Sequence, residues 1–65
     1  MNINYIKERI KVIEAKKKDY ETAHARENAL HKKVLRAIAH GAENSQELAK
    51  EALRTVNISF PRRCA

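Results

Sequence analysis

The feature that most limits what this chain can become is the stretch from Asn4 to His40, thirty-seven residues without a glycine or a proline. Nothing in it removes a backbone N–H donor or adds backbone freedom, so nothing forces a helix to stop. At helical spacing Ile6, Ile10, Ile13, Tyr20, Ala23, Leu30, Val34 and Ile38 fall on one stripe, and Lys7, Lys11, Lys18, Lys33 and Arg36 fall on the opposite one. The pattern predicts one amphipathic helix over residues 4–40, about 55 Å long at a rise of ~1.5 Å per residue. Asn2 and Asn4 both suit its N-cap, since a short side-chain oxygen can accept from the free N–H groups of the first turn.

The middle of that helix is polar. Strict heptads continued from Ile6, Ile10 and Ile13 meet Lys17, Tyr20, His24, Glu27 and His31 before they reach Val34 and Ile38. A break at Lys16-Lys17-Lys18-Asp19 is the competing reading. All four residues tolerate helix, however, and Glu14 supports Lys18 at i,i+4, so the expectation is an unbroken helix with two apolar ends and a polar waist.

His40 and Gly41 end it, because glycine reaches the left-handed conformation after a helix without a Cβ clash. After a turn at residues 41–44, Asn44 and Glu47 form a capping-box-like pair. Leu48, Ala49, Ala52, Leu53 and Val56 then make an apolar face for a second helix over about residues 45–56. Pro61 disfavours helix at Phe60, so residues 57–65 are expected to be an extended tail. So short a turn favours an antiparallel helical hairpin with a core of Leu30, Val34, Leu35, Ile38, Leu48, Ala52 and Leu53. The second helix is only about 18 Å long and covers a third of the first. Ile58 and Phe60 could extend that cover toward Ala23 or Tyr20.

Sixty-five residues make one domain at most, and a chain of this size has little core to spare. The single cysteine, Cys64, excludes an internal disulfide. Oligomerisation is then the expected source of the missing buried surface. Ile3, Ile6, Ile10, Ile13 and Tyr20 are the expected interface of a homodimer, a helical bundle or coiled coil, since leaving three isoleucines wet would forgo ~1.5–3 kcal/mol each. The fold expected from sequence is therefore all-α: one long N-terminal helix, one short C-terminal helix, and a second copy of the chain.

The net charge of +6 suits an anionic partner. Residues 1–41 carry ten Lys and Arg against five acids, and residues 42–65 carry four against three, so the long helix holds the basic character. Lys7, Lys11, Lys16, Lys17, Lys18, Lys33, Arg36, Arg62 and Arg63 are the candidate phosphate contacts. Glu8 and Glu14 interrupt the stripe, no aromatic accompanies it to stack on a base, and a lysine-rich face is also what any exposed helix needs. No apolar run approaches the ~20 residues of a membrane span, and Met1-Asn2-Ile3-Asn4 is neither a charged leader nor a cleavage site, so the expected location is cytoplasmic.

Residues of catalytic type are present without a catalytic pattern. His24 and His31 lie two turns apart, roughly 10 Å along a helix axis, too far to share a metal within one chain. Near a seam they would instead make association pH-sensitive. Glu43, Glu47 and Glu51 share a helix face and read as solvated surface. Cys64 has only Arg62 and Arg63 to activate it and reads as inert. No enzyme activity, cofactor or metal is expected.

Val34-Leu35-Arg36-Ala37-Ile38-Ala39-His40-Gly41 followed by Glu47-Leu48-Ala49-Lys50-Glu51-Ala52-Leu53 resembles the first two helices of the helix-turn-helix in bacterial winged-helix repressors. The resemblance covers about twenty residues and implies a helical pair that would support a recognition helix. Where that family places its recognition helix, this chain has Asn57-Ile58-Ser59-Phe60-Pro61-Arg62-Arg63-Cys64-Ala65, too short and proline-broken to enter a major groove. The function expected from sequence is that of a small regulator or adaptor acting by self-association and by binding an unidentified protein. Binding of DNA or other nucleic acid through the basic face is the alternative.

Overall fold

The computed structural model describes residues 1–62, and it divides the expected long helix in two. The elements are α1 (Ile3–Ala15), α2 (Tyr20–Ala39), α3 (Ser45–Leu53) and a final 3₁₀ turn, η1 (Arg54–Asn57), followed by an extended segment to Arg62. The chain is an all-α, compact three-helix globule of 34 × 21 × 14 Å, which corrects the two-helix hairpin expected from sequence.

The break at residues 16–19 has a local cause. Lys16 closes α1, and its N–H reaches the carbonyls of Val12 and Ile13. Three lysines then sit at the negative end of the helix dipole, where cations are favoured. Asp19 restarts the chain. Its carboxylate accepts from the Thr22 hydroxyl at 2.7 Å and from the Thr22 amide at 3.4 Å, a cap that turns the new helix away from the old one. Those two bonds hold the Asp19 carboxyl below the ordinary carboxylate range. At the start of the chain Asn2, with its side chain accepting from the Tyr5 N–H at 2.9 Å, is the N-cap, and Asn4 lies inside α1.

The turn folds α1 back along α2. Tyr5 near the start of α1 meets Lys33 in the second half of α2, with the lysine donating to the phenol oxygen at 3.0 Å. After α2, Gly41 at φ +91° makes the next reversal, in a region where a Cβ is strained. The chain then returns along α2: His31 meets Thr55 and Glu27 meets Arg62.

This closure covers the isoleucines. Ile6, Ile10 and Ile13 are buried in one cluster with Ala23, Leu30, Val34, Leu48, Ala52, Ile58 and Phe60, and Ile3, Tyr5, Ala37, Ile38 and Ala42 pack against its edge. The argument for a second molecule over the isoleucines rested on the chain having nothing left to cover them, and α2, α3 and the tail supply that cover. Tyr20, the remaining member of the expected interface, is exposed just after the Asp19 cap. Within the expected hairpin core Leu30, Val34, Leu48 and Ala52 are buried and Ile38 is partly so. Leu35 and Leu53 are not part of it. They are 65% and 60% exposed, because the core-facing side of α2 runs through Ala23, Glu27, Leu30 and Val34, and Leu35 lies about a quarter turn beyond Val34.

No helix of the described residues is long and apolar enough to cross a membrane.

Candidate functional site: two grooves on α2

Two charged residues enter the core side of the fold, and they enter together. Glu27 is 4% exposed, one turn before Leu30 on the buried stripe of α2. Its carboxylate receives a forked contact from Arg62, Nε to Oε1 at 2.9 Å and Nη2 to Oε2 at 3.1 Å. The guanidinium also donates to the carbonyls of Thr55 at 2.8 Å, Ile58 at 3.1 Å and Phe60 at 3.3 Å, and it lies over the Phe60 ring at 3.9 Å. Burial pushes the Glu27 carboxyl up, and the hydrogen bonds and charge of Arg62, with Thr55 and His31 beside it, outweigh that and hold it below its ordinary value. Beside this pair Thr55, fully buried, donates to the Ala52 carbonyl at 3.1 Å, which leaves its oxygen to accept from His31 Nε2 at 2.9 Å. The Glu27 and His31 contacts tie the end of the described chain to α2, and the carbonyl contacts fold that end on itself. Arg62, one of the candidate phosphate contacts, is engaged by Glu27 and by three backbone carbonyls, and Arg63 lies outside the described residues.

The remaining cations are on the surface but do not form one track. Lys7 and Lys11 are on α1, Lys16, Lys17 and Lys18 are in the first turn, and Lys33 and Arg36 are on α2, all exposed. Folding α1 back on α2 replaces the 55 Å stripe expected of a straight helix with two antiparallel rows. A different set converges instead. Tyr5 and Arg9 of α1 and Arg26 and Lys33 of α2 line an open groove of about 700 Å³, shared with Glu21, Thr22, Ala25, Ala29 and Leu30. Lys33 lies 5.4 Å from the centre of the Tyr5 ring as well as on its hydroxyl. Arg9 and Arg26 are not in the basic stripe read from sequence, because only the turn at 16–19 brings them to facing helices.

The other side of α2 carries the opposite chemistry. Between α2 and α3 an open groove of about 260 Å³ is lined by His31, Val34, Leu35, Ile38, Ala49, Ala52 and Leu53. Six of the seven are apolar, and the polar one, His31, has its Nε2 engaged with Thr55. Leu35 and Leu53 form the two walls and present most of their surface to solvent. Val56, on the 3₁₀ turn that follows α3, is also 61% exposed. Leu35 and Leu53, expected in the hairpin core, stand on the expected helices but face solvent. The buried stripe Ala23, Glu27, Leu30 and Val34 faces inward, with Glu27 held there by Arg62, and Leu35 falls outside it.

Among the described residues no group of three His, Cys, Asp or Glu side chains is placed to hold a metal ion. His24 and His31 stand on α2 as expected, with His31 turned toward Thr55. Glu51 pairs with Arg54 on α3 and its 3₁₀ extension, and Glu43 and Glu47 line a shallow surface depression beside Ile38 and Ala49. Cys64 lies outside the described residues. Comparison with known protein families, with curated proteins and with solved structures found no match.

Proposed function

We propose that this chain is a small non-enzymatic regulator or adaptor that works by docking another protein on the face formed by α2 and α3. The observation that carries this reading is the pair Leu35 and Leu53, 65% and 60% exposed across a groove floored by Val34, Ile38, Ala49 and Ala52. A chain short of core would gain ~1.5–3 kcal/mol from burying either leucine, and it buries neither. Contiguous exposed apolar surface on a small soluble protein marks an interaction site far more often than isolated exposed residues do. The helix-turn-helix-like segment supplies this face, since α2 and α3 are the helices that carry the resemblance, used here as a packing pair without a recognition helix.

The test is a Leu35→Glu/Leu53→Glu variant. Both sites are exposed, so its melting should match the wild type, and proteins captured from host lysate by the wild type should be lost from the variant. An unchanged captured set would remove the α2/α3 face from the function.

Nucleic-acid binding is the second reading, favoured by the convergence of Arg9, Arg26 and Lys33 on one groove. It predicts duplex binding that weakens steeply between low and physiological salt and that Arg9→Glu/Arg26→Glu abolishes. No gel shift at low salt would dismiss it.

A further inference from the structure

The chemistry around the α2/α3 groove narrows what it can take. Its volume, about 260 Å³, is below the ~300–1,000 Å³ of pockets that enclose a small organic ligand, and it is open along its length. It fits a few aliphatic side chains presented by something larger. The lining residues span His31 to Ile38 on α2, about two turns, and Ala49 to Leu53 on α3, about one turn. A helix laid along them meets the floor at positions i, i+3, i+4 and i+7.

The rims carry charge of one sign. Lys32 and Arg36, one turn apart and both exposed, form the row of α2 next to Leu35, and Lys50, also exposed, stands beside Ala49 and one turn before Leu53 on α3. The acids of these helices lie off these two flanks, though Glu43 and Glu47 line a depression that adjoins the groove at its Ile38 and Ala49 end. Glu27 is held by Arg62, Glu51 pairs with Arg54, Glu21 lines the groove on the far side of α2, and Glu43 and Glu47 sit at the end beside Ile38. A second copy of this chain would bring another +6 and another set of basic flanks to the same face, a general repulsion. An acidic partner meets like charge only at the Glu43 and Glu47 end, so its Asp or Glu residues belong along the Leu35 and Leu53 flanks.

We propose that the α2/α3 groove binds an amphipathic helix of a partner protein, its apolar face on Leu35, Leu53 and the floor between them, and its flanking Asp or Glu residues on Lys32, Arg36 and Lys50. This rests on the α2/α3 face being the docking surface and adds the chemistry of what docks. Apolar contact supplies the affinity and the rim charges select among amphipathic helices by sign.

The probes are three synthetic amphipathic peptides of about fourteen residues, close to four helical turns, with the same leucine face and with Glu, Gln or Lys on the polar face. Their binding to the full chain is read by fluorescence anisotropy at physiological salt. The glutamate peptide should bind roughly tenfold or more tightly than the lysine peptide, from three rim contacts of ordinary surface strength. Leu35→Glu/Leu53→Glu should lose it. Lys32→Glu/Arg36→Glu/Lys50→Glu should reverse the order of the peptides, whereas Lys7→Glu/Lys11→Glu/Lys18→Glu, with the same change in net charge, should leave it in place. A preference reversed equally by both triple variants, or one that survives the leucine substitutions, would mean attraction to net charge and would overturn the proposal. So would peptides that bind equally well, or not at all, while lysate capture still depends on Leu35 and Leu53; in that case the docking face stands and its acidic helical partner falls. A wild-type dimer in sedimentation that Leu35→Glu/Leu53→Glu dissolves would assign the groove to a second copy and would also overturn it.

Discussion

Replacing Arg62 with alanine should be the most damaging change outside the isoleucine cluster, and its damage should depend on pH. Glu27 would remain, 4% exposed, without the one cation that hydrogen-bonds to it among the described residues, and three backbone carbonyls would be released at the same time. Removing one partner of a fully buried pair costs about 3–5 kcal/mol. The Arg62 side chain is 32% exposed, and solvent screening brings the figure toward about 2–3 kcal/mol. Against ~3–10 kcal/mol for a chain of this length, that is a large share of the whole stability. Glu27→Gln, which leaves no buried charge and lets Arg62 keep its carbonyl contacts, should cost only about 1 kcal/mol.

The sign of the pH dependence follows from Glu27. Its carboxyl is held below the ordinary 4.5 in the folded chain, so its contribution is complete above that value and is lost as pH falls through the folded value. In Arg62→Ala, burial, the largest influence on this carboxyl, is opposed only by Thr55 and His31, so the carboxyl rises and the variant is penalised at neutral pH and relieved on protonation. Urea titrations followed by far-ultraviolet circular dichroism should therefore show a wide gap between wild type and Arg62→Ala at pH 7 and a narrow one near pH 3. Equal midpoints at pH 7, or a gap as wide at pH 3, would refute the claim that this pair ties the tail to α2.

Other substitutions separate the three-helix packing from a long-helix hairpin. Ile13→Ala should cost about 2–4 kcal/mol in a urea titration at any protein concentration, because Ile13 is 1% exposed inside its own chain. Leu53→Asp should shift the same titration by no more than about 0.5 kcal/mol, since Leu53 faces solvent, although a hairpin core would lose several. Gly41→Ala should lower the thermal midpoint by an amount equivalent to about 1 kcal/mol, and Gly41→Asn by less, because the cost is the backbone at φ +91° and no atom stands near the added Cβ.

The parts of the fold legible in the sequence are those set by local chemistry and apolar spacing. Gly41 as the stop of α2, the start of α3 near Asn44, and the burial of Ile6, Ile10, Ile13, Leu30, Val34, Leu48 and Ala52 all follow from them. The turn at 16–19 did not stand out because three lysines and an aspartate are ordinary helix residues, and the Asp19–Thr22 cap that decides it is a pair of polar side chains three apart. The polar waist was nevertheless its signature: heptads from Ile6 run onto Lys17, and the buried stripe resumes on Ala23 and Leu30 in place of His24 and His31. Glu27 on the expected seam was the other sign. A carboxylate at a core position needs a cation, but its partner is thirty-five residues away, and no local pattern names it. The α2/α3 groove was legible only in its residues, since Leu35 and Leu53 become walls once the stripe Ala23, Glu27, Leu30 and Val34 faces the core.

The central claim is that one chain closes over its own isoleucines and leaves the α2/α3 face open. Methyl-labelled protein mixed with unlabelled protein separates contacts within a chain from contacts between chains in an isotope-filtered nuclear Overhauser experiment. Cross-peaks from Ile6, Ile10 and Ile13 to core residues of α2 and α3 should all be intramolecular, with Leu35 and Leu53 free of contact to the isoleucines. Isoleucine cross-peaks that arise only between molecules would restore the long helix and its dimer seam, and would contradict this account.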